Sequence, residues 1–325
     1  MGIGHWNLIE NWDLKIGILG GDMPTLYTQA ESNIRKTWLY LTGLFILVIG
    51  FSWFISYLLN TQLIFWMAVV LAILMNFFAY WYSDKIVLAM TRAKEIKKED
   101  NPELYRLVEN LCITAGLPMP KIYIIDEAQP NAFATGRNPE NSVVAVTRGL
   151  LEKLERTELE GVLAHELAHI GNRDTLLATL VVVLVGVVVI ITDFLFRLTF
   201  GARNDDRYDR EKRRFTTPLI ILFALVLSIL ASFFANLIKL AISRKREFLA
   251  DATGALLTRY PEGLARALEK ISQDPQPLKV ANNATAHLYI VSPFRGKEKT
   301  SWFHRLFMTH PPVEERIKAL RGMEI

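Results

Sequence analysis

The chain has 325 residues, enough for a membrane unit and one soluble domain of ordinary size. A hydrophobic fraction of 51% and a mean hydropathy of +0.22 are high beside 22% charged residues, which implies that the apolar residues are gathered into long blocks. A formal charge of only +4 gives no sign of a nucleic-acid partner, and the lone cysteine, Cys112, excludes an internal disulfide and reads as a small buried core residue.

Residues 1–22 carry a loose repeat at 5–8 and 11–14 with no helical stripe, and are uninformative about the fold. They lack the basic, apolar and small-residue order of a signal peptide, and Met23 offers a second start. From Thr37 to Ser83 no charged residue occurs. Asn60, Thr61 and Gln62 break this run, leaving halves at about 38–59 and 63–82, each long enough to cross ~30 Å of hydrocarbon at 1.5 Å per residue. Residues 23–83 are thus expected to form a helical hairpin, with Trp38, Trp53, Trp66, Trp81 and Tyr82 as candidate interfacial anchors.

Residues 84–174 are polar enough for a first part of a soluble domain, and 243–325 for a second. Between them, 175–242 holds a third apolar block to about 196, a charged loop at 201–214 and a fourth block from 215. The third contains Asp193 and Arg197 near its end, so it reads either as a span or as a buried helix beneath the soluble domain. In the fourth, Asn236 and Lys239 either snorkel or face a site. Basic flanks (Arg35, Lys36, Lys85, Arg92, Lys94, Lys97, Lys98, Arg173, Arg244, Lys245 and Arg246) place the soluble domain in the cytoplasm, while six basic residues in 201–214 argue the other way.

The chemistry is concentrated in His165-Glu-Leu-Ala-His169. Thr157 followed by Glu160 reads as a capping box that starts a helix here, with His165 and His169 one turn apart on one face. Two neutral imidazoles at this spacing can share one tetrahedral zinc ion, and Glu166 can then reach a water at the open position as general base. A third ligand is needed, and Glu247 supplies it, with Asp251 four residues on orienting a ligand histidine. The plainer alternative is an exposed helix whose carboxylates balance Arg244, Lys245 and Arg246. His169 lies ~9 Å of helix before the third block and Glu247 ~12 Å after Lys239, so antiparallel third and fourth spans would bring both ligand helices out on one membrane face.

Residues 121–126, 132–135 and 142–147 read as strands, with a turn at 138–141. His287 lies in an apolar strand-like run and reads as structural, while His5 and His304 carry no argument.

Four strings together, His165-Glu-Leu-Ala-His169, Glu247-Phe-Leu-Ala-Asp251, Pro130-Asn-Ala-Phe-Ala-Thr-Gly136 and His310-Pro-Pro-Val-Glu-Glu-Arg316, give the chain from about residue 23 onward a resemblance to the HtpX membrane metalloproteases, relatives of the CAAX prenyl proteases. The resemblance implies an α+β, mainly helical zincin-type domain with a small β-hairpin or sheet on about four transmembrane helices, facing the cytoplasm. It implies a zinc-dependent endopeptidase of the cell membrane, tied to stress-linked quality control, with polypeptide substrates that include membrane proteins. By the same similarity Asn131, Ala132, Phe133 and Ala134 form the substrate edge, a plain hairpin under the helix being the alternative. His310 either donates to the developing oxyanion or only caps the last helix. A zinc-stabilised scaffold and a small transporter are the rival readings.

Overall fold

The computed structural model describes residues 62–180, 244–281, 285–293 and 311–323, with residue 182 and isolated positions between 34 and 60. Its first full helix, α1 (Gln62–Trp81), follows Asn60, whose positive φ marks the turn expected at the break in the apolar run. At Tyr82 the chain bends and continues as α2 (Ser83–Thr91). Among the described residues no single helix is long and apolar enough to cross a membrane; Phe65–Trp81 and Ser83–Thr91 together are, with a 72° bend between them. One face of α1 leaves Leu63, Trp66, Met67, Val70, Ile73, Leu74, Phe77, Phe78 and Trp81 exposed.

A four-stranded sheet follows, with β1 (Lys94–Glu95), β2 (Lys121–Ile125), β3 (Ala132–Gly136) and β4 (Ser142–Thr147) in spatial order β1-β2-β4-β3. β2 and β4 run parallel, with Ile122 opposite Val144, while β3 lies antiparallel to β4, with Phe133 opposite Ala145. Three strands were legible, β2 and β4 as runs rich in β-branched residues and β3 as a short apolar run ahead of the turn at 138–141. β1 was not, because two charged, exposed residues carry no pattern. The expected turn at 138–141 is a 3₁₀ turn in which the Asn138 side chain accepts from the Asn141 N–H at 3.0 Å.

Both faces of the sheet are covered, as the unbroken burial of β3 and β4 requires. Ile122, Ala132, Ala134, Val144 and Val146 face the main helical core. Ile125, Phe133 and Ala145, one step out of phase, pack with Ala79 of α1, Val87 of α2, Leu177, Leu180 and Tyr289. Through this second cluster the sheet joins the soluble elements to the ends of the apolar blocks. Residues 174–180, the start of the third block, are helical and mostly buried, and the Thr179 hydroxyl hydrogen-bonds that of Thr135 at 2.8 Å.

The helical layer comprises α3 (Pro102–Ala115), the short α4 (Arg148–Lys153), α5 (Arg156–Gly171), α6 (Arg244–Thr258), α7 (Pro261–Gln273) and α8 (Val313–Arg321). α3 shows why these sequences become helices. Asn101 caps it by accepting from the Leu104 N–H, Pro102 opens it, and Gly116 in the left-handed region closes it. Its buried stripe includes Cys112, whose thiol burial pushes up to about 11. α5 begins two residues earlier than Thr157 suggested. Its capping box is Glu155 with Glu158, the Glu158 carboxylate accepting from the Glu155 N–H at 2.9 Å. Both boxes have the same spacing; the extended backbone at Glu155 selects the first. His287 lies in a 3₁₀ turn, not a strand, and is buried with Nε2 3.2 Å from the Ala178 carbonyl oxygen.

Candidate metal centre

α5 is buried along most of its length, and it carries His165, Glu166 and His169 into the middle of the helical layer. α6 crosses it closely because Gly254 faces the backbone of His165, where a Cβ would lie 3.0 Å from the His165 nitrogen. That crossing brings Glu247 and Asp251, one turn apart on α6, against the two histidines.

His165 and His169 point their Nε2 atoms at each other, 3.2 Å apart. Glu247 closes the triangle, with carboxylate oxygens 3.5 Å from His169 Nε2 and 3.9 Å from His165 Nε2. The far nitrogens are engaged with carboxylates. His165 Nδ1 lies 2.9 Å from Asp251 Oδ1, and His169 Nδ1 lies 3.1 Å from Asp174 Oδ2. His169 Nδ1 hydrogen-bonds Asp174 and His165 Nδ1 lies in close ion-pair contact with Asp251, and a carboxylate at each outer nitrogen favours the tautomer whose Nε2 lone pair faces inward. Two lone pairs at 3.2 Å repel unless a positive charge lies between them.

This donor set fits a small divalent cation. Bonds of ~2.0–2.1 Å in a tetrahedral array set the donors about 3.3 Å apart, close to the separations here. The three side chains offer ligand atoms within 4.8 Å of one another. Arg316 Nη2, 3.4 Å from His165 Nε2, also treats that nitrogen as an acceptor.

The electrostatics follow from burial. Desolvation drives His165 down to about 4, against the pull of Asp251. His169 is also penalised by burial, yet Asp174 and Glu247 outweigh this and raise it to about 9. Burial pushes Glu166 up to about 7; the Glu247 charge adds to this, while His169 and a hydrogen bond from the Ala134 N–H oppose it. Asp251 would rise on burial, but Arg316 brings it down to about 2. Arg316 is fully buried and bidentate on Asp251, with Nε and Nη2 at 2.8 and 2.7 Å; its Nη1 donates to the Ile290 carbonyl at 2.8 Å and lies 3.6 Å from Glu247.

The structure therefore brings together His165, Glu166, His169, Glu247 and Asp251. It also adds Asp174, Arg246 and Arg316, which the sequence did not single out. Arg316 stood in a quoted string without a role, and Asp174 sits five residues after His169, a spacing that does not share a helix face. Arg246 requires a correction. It was counted among basic residues flanking the membrane, but it is buried and pairs with Asp174 at 3.2 Å, because its position on α6 turns it toward α5 while Arg244 and Lys245 are exposed.

Of the candidate edge residues, Ala134 lies against Glu166. Thr147 N–H donates to the Asn131 carbonyl at 2.9 Å, so by ladder alternation Ala132 and Ala134 turn their backbone groups away from β4. The Ala132 carbonyl already accepts from Ile290 N–H at 3.1 Å, and the Asn131 side chain donates to the Val291 carbonyl at 2.9 Å. Phe133 points to the other face, edge-on to Tyr289. His310, His5, His304, Asp193, Asn236 and Lys239 lie outside the described residues.

Comparison with known proteins identifies the family. The family model Peptidase family M48 matches residues 98–324. A Protease HtpX homolog from Dictyoglomus thermophilum is 46% identical over 92% of this chain and 95% of its own length. Namesakes from Pyrococcus furiosus and Syntrophobacter fumaroxidans are 48% and 49% identical, covering 87% and 79% of this chain and 92% and 88% of theirs. The crystal structure of S. mikatae Ste24p overlaps with a TM-score of 0.43 at 20% identity, covering 97% of this chain and 65% of that one, a likeness too weak to bear on function. Since the matched region contains both histidines, Glu247 and the helices that hold them, the chain belongs to peptidase family M48.

Proposed function

We propose that this protein is a membrane-embedded zinc-dependent endopeptidase, with one zinc ion per chain held by His165, His169 and Glu247. The observation that carries the reading is the pair of inward-facing Nε2 atoms at 3.2 Å, each backed by an aspartate and closed off by a third carboxylate. Zinc bound there supplies Lewis acidity, polarising a peptide carbonyl and acidifying water. The rest is the work of the chain. Glu166 accepts the proton of the attacking water on its carboxylate and returns it to the leaving amide nitrogen. Asp251 orients His165, and β3 with its lead-in (Asn131, Ala132, Phe133 and Ala134) is the proposed substrate edge, of which Ala132 and Ala134 turn their main-chain groups away from β4 and Ala134 lies beside Glu166. His310 is proposed to donate to the oxyanion.

The uncharged run at 37–83 and the exposed apolar face of α1 support attachment to a lipid bilayer. In this arrangement the protease domain is built from 84–174 and 243–325 and faces the cytoplasm, with hairpins at 23–83 and 175–242. Misfolded or damaged membrane proteins are the proposed substrates, and quality control the role.

The test compares purified full-length protein with Glu166→Ala on casein and on a detergent-solubilised membrane protein. The variant is expected to keep its zinc and lose cleavage by at least about a hundredfold. Cleavage unchanged in Glu166→Ala would remove the mechanism, and zinc bound by a wild type that cleaves nothing would favour the scaffold reading.

A further inference from the structure

His165 is held by Asp251, which Arg316 grips in turn. On the opposite side of the centre the same order recurs with other residues. His169 Nδ1 meets Asp174 Oδ2 at 3.1 Å, and Arg246 Nη1 donates to Asp174 Oδ1 at 3.2 Å, all three side chains being buried or largely so. The two arrangements interlock: α6 contributes the aspartate to one and the arginine to the other, and Arg246 directly precedes Glu247.

Asp174 should not be able to reach His169. Residues five apart on a continuous helix point about 140° away from each other, at ~100° per residue. The backbone resolves this. α5 ends at Gly171, Asn172 closes it, and Arg173 takes a φ of +55°, a left-handed conformation uncommon for a residue that is not glycine. Helix resumes at 174. The break of two residues swings Asp174 back over the last turn of α5 and onto His169, where Arg246 meets it from α6.

We propose that Asp174, placed by the left-handed turn at Arg173 and clamped by Arg246, is the positioning residue for His169, as Asp251 is for His165. This rests on the metal-centre reading above. Asp174 fixes the ring orientation and the tautomer that aims Nε2 at the cation, and Arg246 fixes the Asp174 carboxylate while tying the Glu247 turn of α6 to the end of α5. The strain of the left-handed backbone at Arg173, whose side chain takes no part in the centre, is then the conformational cost of bringing an i+5 residue onto the histidine's face.

The experiment uses the full chain in detergent and reads zinc affinity by competition with a chromogenic chelator, together with the visible spectrum of the cobalt-substituted protein. Asp174→Ala is expected to weaken zinc binding by about 10–100-fold and to change the cobalt spectrum. Asp174→Asn is expected to fall between it and wild type. Arg246→Met is expected to weaken binding in the same direction, and to add little to Asp174→Ala. Arg173→Gly should retain wild-type affinity because glycine takes the turn freely, whereas Arg173→Val should lose affinity as Asp174→Ala does. Asp274→Ala, which removes a buried carboxylate paired with Lys153 away from the centre, is expected to lower thermal stability without moving zinc affinity.

Wild-type affinity and spectrum in both Asp174 variants would overturn the proposal, as would an equal loss of affinity in Asp274→Ala. If Asp174→Ala does not fold, the Asn variant and the Arg173 pair decide the matter. His169→Ala separates the two readings. Loss of zinc there, with affinity intact in the Asp174 variants, removes only the brace; zinc retained in both His165→Ala and His169→Ala removes the metal centre itself.

Discussion

Arg316 is enclosed at 0% exposure, and an arginine tolerates that only when its donors and charge are all answered. Asp251 takes the bidentate pair, the Ile290 carbonyl takes another donor, and Glu247 lies close enough to share the charge. Replacing Arg316 with methionine fills much of the volume but leaves Asp251 buried with His165 alone, a loss of about 3–5 kcal/mol. The expected outcome is a sharply lower thermal midpoint of the full chain in detergent, and Arg316→Lys should not restore it, since an ammonium cannot make the forked contact. At this scale the sequence was informative where chemistry and spacing coincide. His165, Glu166 and His169 share one turn of helix, and Glu247 and Asp251 another. Arg316 was not legible because it acts on Asp251, 65 positions away, and Asp174 because a spacing of five puts it off the His169 face of a continuous helix.

The centre depends on how closely α5 and α6 approach. Gly254 sets that distance, and an added methyl meets the His165 backbone at 3.0–3.2 Å with no flexible side-chain end to give way. Gly254→Ala is expected to cost about 1–3 kcal/mol and to lower zinc retention along with it, read as faster metal loss to a chelator. A second element contact answers to pH. Arg321 on α8 forks onto Glu262 and Glu269 of α7 at 2.9–3.1 Å. Its hydrogen bond holds the Glu262 carboxyl below its ordinary value of 4.5. A depressed carboxyl stabilises the fold above its unfolded value, and that contribution disappears as pH falls through the lower, folded one. Thermal midpoints of wild type and Arg321→Ala should therefore differ at pH 7 and converge as the pH drops below about 4. Among elements, the sequence placed α5 but put its cap at Thr157, because the capping-box pattern asks for a short polar residue at the cap and Glu155 falls outside it; the structure forms the box at Glu155 and Glu158 all the same.

At the scale of the molecule, the sheet is a partition: its even-numbered side chains face the helices that carry the histidines and its odd-numbered ones face the ends of the apolar blocks. Opposing charge signals in the flanks and in the 201–214 loop leave orientation to experiment. With Cys112→Ala as background, an impermeant thiol label is expected to modify Arg207→Cys in intact cells and Lys98→Cys only after the membrane is opened; the reverse pattern would invert the topology. What the sequence determined by itself is everything written in local pattern: uncharged runs of membrane length, two histidines one helical turn apart, and short apolar strands between turns. Tertiary structure alone decided the strand order, the burial of Arg246 that composition had assigned to the lipid flank, and the two Arg–Asp pairs that aim the histidines. Those contacts join residues 65 and 72 positions apart; the first needs α8 packed on α6, and the second needs α5 and α6 to cross at a glycine and a left-handed turn at Arg173 to fold Asp174 back, none of which leaves a periodic trace in the chain.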